Sequence, residues 1–197
     1  MWTKEFFGMD VYHLISAFII YSMLGWLVES IYMSICNRKL TNRGFAKSPF
    51  CPIYGFGAMA GYLLLHPLNG HFLKLYLIGA LLATLFEFLT GKLMLKLFGE
   101  VWWDYRNKPC NYKGIVCLES TVAWGFYAVI IIAFLHSRVM DFIDEWSFSL
   151  GSRICVCVLA VVTVDYLVQL LRALHIDMKE QREKLVDRFQ RFKARWY

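Results

Sequence analysis

Apolar residues in this chain fall in long runs that charge seldom interrupts. The runs cover about Tyr12–Ile35, Ile53–Leu68, Phe72–Leu95, Ile115–Leu135 and Leu150–Leu171. A helix that is apolar all round is buried in a large protein or in a membrane. A bilayer's hydrocarbon core is about 30 Å thick and needs about 20 helical residues. Four runs meet that length easily. The second covers only about 24 Å at 1.5 Å per residue, and Pro67, Asn69 and Gly70 close it. It reads as a short helix or as a re-entrant segment.

After the last run the pattern changes. Leu185, Phe189, Phe192 and Trp196 recur at helical spacing, and Glu180–Lys184 and Asp187–Arg191 are charge pairs four apart. Residues 175–197 therefore read as a basic amphipathic helix in the cytoplasm, separate from a transmembrane bundle over residues 1–174. Such a helix lies most simply on an anionic inner leaflet. Docking to a protein partner is the alternative.

Composition agrees with the pattern. Of 197 residues, 58% are hydrophobic and 18% charged, and the mean hydropathy is +0.47. A soluble domain is nearer about 45–50% apolar and about 25% charged, and a globule of this size cannot hide the excess. Disorder, a fibrous repeat and a water-soluble globule are excluded. The expected fold is an all-α polytopic bundle of about five transmembrane helices, with the lipid bilayer as its first partner.

Charge chooses between the two readings of the second run. The net charge is +6, from 21 Lys and Arg against 15 Asp and Glu. If all five runs cross, every Lys and Arg except Lys4, Lys74, Arg138 and Arg153 falls on one side. That is the positive-inside pattern, and a re-entrant second segment would destroy it. The expectation is five crossings, N-terminus out and C-terminus in, in a cell membrane. Because the positive charge follows topology and no recognition motif is present, nucleic acid is excluded as a partner.

Four acids lie inside the runs: Glu29, Glu87, Glu119 and Asp165. With this topology Glu29 sits about 9 Å, and Glu87 and Asp165 about 6 Å, to the cytoplasmic side of the centre of their runs. Glu119 opens its run on that same side. A carboxylate in lipid is costly, so each should face the bundle or a polar cavity and have a partner. Arg43, Lys47, Lys92 and Arg106 are near enough in depth to supply one. The functional reading is a cytoplasm-facing polar cavity for a substrate, an ion or a proton; the structural one is a set of bonds that fixes helix packing. Asp165 has Arg153, Gln169 and Arg172 on its own helix, and Glu119 lies shallow enough for water.

Two loops accompany these acids. Asn42 to Gly57 contains two prolines and three glycines, which forbid a regular helix through it. Irregular backbone at membrane depth must be buried in protein or line a cavity, so this loop is expected to wall or plug the acidic site. Gly57 and Gly61 beyond it form a small-residue face suited to close helix packing. The second loop, Trp102 to Gly114, joins paired tryptophans and tyrosines of the kind that form a headgroup-level belt to the polar Asp104, Arg106 and Asn111.

Other chemistry is missing. The six cysteines contain no C-x-x-C and no paired zinc spacing, and read as packing residues and reduced thiols. There is no P-loop and no H-E-x-x-H, and the five histidines are scattered. No cofactor or metal is expected. Ser120 and Cys117 are nucleophile types with no histidine at their depth.

The blocks Gly44–Phe45, Pro49-Phe50-Cys51-Pro52-Ile53-Tyr54-Gly55-Phe56-Gly57, Glu87 with Thr90-Gly91, Trp102-Trp103-Asp104-Tyr105, Asn111, Gly114, Cys117-Leu118 and Trp124-Gly125 resemble the ABC-transporter type IV (CmpB-like) permease family. The resemblance covers about residues 25–126. It implies a transporter's membrane subunit, and hence a separate ATPase subunit, since this chain has no nucleotide motif. The expected site is a cavity built from Glu29, Arg43, Tyr54, Glu87, Trp103, Asp104, Arg106 and Asn111 that binds or passes a small substrate. The alternative is a membrane-embedded enzyme or binding protein for a lipid or isoprenoid headgroup at the inner leaflet, with Glu29, Glu87 or Asp104 as general acid or base. A third reading is a purely structural polar core. A five-span bundle is small for a conduit, so a homodimer is also expected.

Overall fold

The structure, a computed structural model, describes residues 2, 3, 5, 6, 8–42 and 44–193, of which residues 6 and 173–193 by backbone alone. The chain begins with a two-rung antiparallel ladder, β1 (Glu5–Phe6) and β2 (Met9–Asp10), turned at Gly8. Helix α1 (Val11–Asn37) starts where Asp10 accepts the His13 backbone N–H at 2.9 Å, satisfying one orphan donor of the first turn. It ends at Arg38, whose backbone is left-handed.

Helix α2 (Pro52–Leu65) begins on a proline, whose missing N–H has no helical partner at that position. A 3-10 turn, His66–Leu68, closes it. Helix α3 (Phe72–Phe98) stops at Gly99 in the left-handed region. Next come α4 (Leu118–Val129), a π-helical stretch (Ile130–Leu135) and α5 (His136–Asp144), which together form one apolar rod. Helix α6 (Phe148–Lys193) runs 46 residues and passes through the junction at residues 174–175 without interruption. Its length is about 69 Å, twice a hydrocarbon core.

Four helical segments are long and apolar enough to cross a membrane: Val11–Asn37, Phe72–Phe98, Leu118–Asp144 and Phe148–Arg172. Their outward residues are apolar, as Leu73 (72% exposed) and Leu81 (69%) on α3 illustrate. A surface of this kind belongs in lipid. The chain is a multi-pass membrane protein.

Helix α2, with 14 residues, is too short to cross alone, and its starting place explains why. The Cys51 N–H donates to the Ser22 carbonyl at 3.0 Å, so the chain is already beside the middle of α1 before α2 begins. From there α2 runs back along the N-terminal half of α1, with Tyr54 at its start reaching Gly25 and Glu29. The irregular segment before it lies along the other half, where Trp26 donates to Asn42 at 2.7 Å and Ser34 Oγ accepts the Thr41 N–H at 2.9 Å. Phe50, 2% exposed, packs edge-on against Phe18 at 5.9 Å. Tyr166 of α6 donates its hydroxyl to the Phe50 carbonyl at 3.0 Å.

Small residues set the close contacts. A Cβ at Gly25 would overlap the Tyr54 ring, and one at Gly55 would overlap Ser22 and Phe18. The tight α1–α2 contacts are therefore Gly25 against Tyr54 and Gly55 against Ser22 and Phe18, not the expected Gly57–Gly61 face: Gly57 meets only the Phe86 ring at 3.6 Å and Gly61 meets nothing within 4 Å. The main apolar core joins α1, α2, α5 and α6 around Ala17, Tyr21, Met59, Val139 and Cys155. At its edge the buried His136 stacks on Tyr62 with ring centroids 3.6 Å apart.

Candidate functional site at Glu87

Helices α3 and α4 pack antiparallel with little between them. Gly79 lies against Ala128, Gly91 against Ile115, and Thr84 donates to Thr121 at 3.0 Å. Glu87 points into this seam and is 6% exposed. Its Oε2 accepts the Trp124 indole N–H at 3.0 Å and the Ser120 hydroxyl at 3.2 Å. Its Oε1 accepts the Tyr105 hydroxyl at 3.0 Å. All three donors are neutral, although Lys92 and Arg106 were expected to supply a charge. Lys92 sits over the Phe88 ring at 5.9 Å, and Arg106 is engaged with Asp104.

The loop after α3 delivers Tyr105. Its backbone N–H donates to the Gly114 carbonyl at 3.0 Å, and Trp103 Nε1 donates to the Ile115 carbonyl at 2.7 Å. Ile115, 2% exposed, docks on Gly91 and locks the loop to α3. Burial and the neighbouring Glu87 carboxylate push the Tyr105 hydroxyl pKa well above the ordinary tyrosine range.

Trp124 also leads to the second acid. Its ring lies 6.5 Å from that of Tyr54, whose hydroxyl donates to Glu29 Oε2 at 2.7 Å. Glu29 from α1 and Glu87 from α3 are thus joined through one indole and one phenol, and the two acids flank a common aromatic group.

The sequence profile of the family described as "Putative ABC-transporter type IV" matches residues 16–170. This chain belongs to that family. No curated protein and no solved structure matches it.

In this ABC-transporter type IV protein the matched segment contains the whole Glu29–Glu87 group. Of the expected site residues, Glu29, Tyr54 and Glu87 come together. Trp103 packs behind them as a brace. Asp104, Arg106 and Asn111 point elsewhere: Arg106 Nε and Nη2 donate to Asp104 Oδ2 at 2.9 and 2.7 Å, and Asn111 bonds the Arg106 and Lys108 carbonyls and the Gly114 N–H. These three bind their own loop. The Arg106 guanidinium holds the Asp104 carboxyl below the usual range. Arg43 lies outside the described residues.

The other two acids have partners of their own. Asp165 accepts the Ser48 N–H at 2.6 Å and so grips the irregular segment before α2. Glu119 pairs with Lys108 at 2.8 Å on the surface. The two loops meet at Phe45, which stacks on Trp102 at 5.1 Å and also touches Phe98 and Tyr166. A cavity of about 180 Å³ lies elsewhere, beside His13 and Asp144, whose side chains bond at 2.9 Å and tie α1 to α5.

Tyr105, Ser120 and Trp124 were not among the expected site residues. Two signals could have found them. Tyr105 adjoins Trp103 and Asp104 in the same block, and Ser120 and Trp124 stand four apart, on one face of α4. None of the six cysteines is in a disulfide. Cys117 caps α4 by accepting the Ser120 N–H.

Proposed function

We propose that this chain is the permease-like membrane subunit of an ABC-type transporter, and that it binds or passes a small substrate where Glu29 and Glu87 approach each other. The observation that carries this reading is the aromatic link between two acids on different helices, Glu87 to Trp124 to Tyr54 to Glu29. Glu119 bonds a surface cation and Asp165 a backbone N–H, whereas Glu29 and Glu87 are linked through side chains of four helices. Such a link is sensitive to any rearrangement of the bundle, which is what alternating exposure of a transport site requires.

The charge distribution supports an N-out, C-in orientation in a cell membrane, with the segment before α2 and the Trp102–Gly114 loop facing the cytoplasm. In that orientation the Phe45–Trp102 contact closes the site from the cytoplasmic side, and a cavity opens when the two loops part. Residues 1–174 form the membrane bundle, and the tail beyond is cytoplasmic. ATP hydrolysis comes from a separate subunit, and two copies of the chain complete the conduit.

The test is purification of the tagged chain from its native membranes under mild detergent. An ATPase should copurify in fixed stoichiometry. Glu29→Gln and Glu87→Gln should lower the complex's ATPase rate at least about tenfold, equal to about 1.4 kcal/mol of barrier, without releasing the ATPase. A chain that purifies alone, with variants that differ only in stability, would overturn the reading. Headgroup lipid retained by the wild type and lost from Glu87→Gln would favour the lipid-binding alternative.

A further inference from the structure

Glu87 is buried, yet its bonding leaves its charge uncompensated. An ionised carboxylate in a low-dielectric seam is costly without a paired cation. Among the described residues no Lys, Arg or His lies within 4 Å of it, and its partners are a phenol, an alcohol and an indole. The titratable group in contact with it is Tyr105, around which stand Cys117 and Glu29; Tyr54, next to the Trp124 ring, bonds Glu29. None is a cation.

The heavy-atom framework suits both protonation states. In the ionised state all three partners donate to the carboxylate. In the protonated state the Glu87 Oε1–H donates to the Tyr105 hydroxyl oxygen across the same 3.0 Å, and the Tyr105 hydrogen turns away. Trp124 and Ser120 go on donating to Oε2. One proton is gained or lost with no side chain displaced, as a buried, close-packed site demands.

We propose that Glu87 is a reversible proton-binding site in the α3–α4 seam, with the Tyr105 hydroxyl as the group that relays its proton. This deepens the permease reading and rests on it, because it makes the proton a ligand of the same site. In the step, the Tyr105 hydroxyl proton passes to Glu87 Oε1 across their 3.0 Å bond, while a hydronium ion of the water at the partly exposed Tyr105 returns a proton to its oxygen and is left as neutral water. The net change is one proton gained and one negative charge lost at Glu87.

The experiment is pH-difference infrared spectroscopy of the purified protein in lipid nanodiscs. The wild type should show a pH-dependent protonated-carboxyl stretch that Glu87→Gln abolishes. Glutamine reproduces the bonding of the protonated acid, so that variant should fold. Tyr105→Phe should keep the band, shift its frequency because a hydrogen bond is lost, and slow its rise after a pH jump; the slowing is what a merely structural tyrosine would not cause. Should Glu87→Gln misfold, Glu87→Asp serves instead and should move the band. A band that no substitution at position 87 alters, or none at any pH, overturns the proposal. The ATPase readout separates the two readings. A Glu87 band in a chain that purifies alone leaves the proton site standing and overturns the permease; an ATPase-coupled complex without the band does the reverse.

Discussion

The Trp124 indole N–H lies 3.0 Å from Glu87 Oε2. Because indole is only a donor, this bond identifies Oε2 as the acceptor oxygen in either protonation state. Trp124→Phe keeps a ring and removes the donor. It should destabilise the protein by about 1–3 kcal/mol, the cost of leaving a buried acceptor short of a partner. It should also loosen Tyr54, read as a lower midpoint in detergent melts and faster labelling of Cys51 by a maleimide.

Tyr105 predicts an alkaline dependence. Its folded pKa is raised above the ordinary value of 10.0 by burial and by Glu87. Stability from a group raised in this way is fully present below its unfolded value and is lost as pH rises through the folded one. Wild-type melting temperature should therefore hold to about pH 10 and fall beyond it, while Tyr105→Phe should show a shallower fall. Parallel curves for the two proteins would contradict this.

Gly25 allows Tyr54 to lie flat on α1. Gly25→Ala should cost about 1–3 kcal/mol through overpacking and should break the Tyr54–Glu29 bond. Gly61→Ala, at a position with open space around it, is the control and should gain slightly in helix propensity.

Asp165 holds the Ser48 N–H at 2.6 Å. Asp165→Ala should release the segment before α2 and raise the maleimide labelling rate of Cys51, while Asp165→Asn should keep one acceptor and label more slowly than alanine. Equal rates in all three proteins would mean that this bond does not hold the segment.

The contact between His13 and Asp144 joins the first turn of α1 to the last turn of α5. His13→Ala should lower stability by about 1 kcal/mol, the range for a partly exposed pair, with the ATPase readout unchanged because the contact is far from Glu87.

Some of this was legible in the residues alone. Glu87 and Glu29 stood out because a carboxylate in an apolar run is costly wherever it ends up. The irregular segment stood out because prolines and glycines forbid a helix whatever surrounds them. The roles of Asp104, Arg106 and Asn111 were not legible. A polar trio in a loop looks the same whether it faces a substrate or ties its own turn, and the left-handed backbone at Cys110, Lys113 and Gly114 sends these side chains into their own loop while Tyr105 goes inward.

By itself, then, the sequence determined that this is a helical membrane protein and which carboxylates it must accommodate, because hydropathy and the cost of burying charge are properties of residue types. Only the tertiary structure decided who meets those carboxylates. Tyr105, Ser120 and Trp124 reach Glu87 because Gly79 and Gly91 let α3 and α4 close up and Ile115 locks the loop over them. Likewise α2 is short because the chain returns to the middle of α1 before it starts. These are distances between segments far apart in the chain, set by packing rather than by any local pattern.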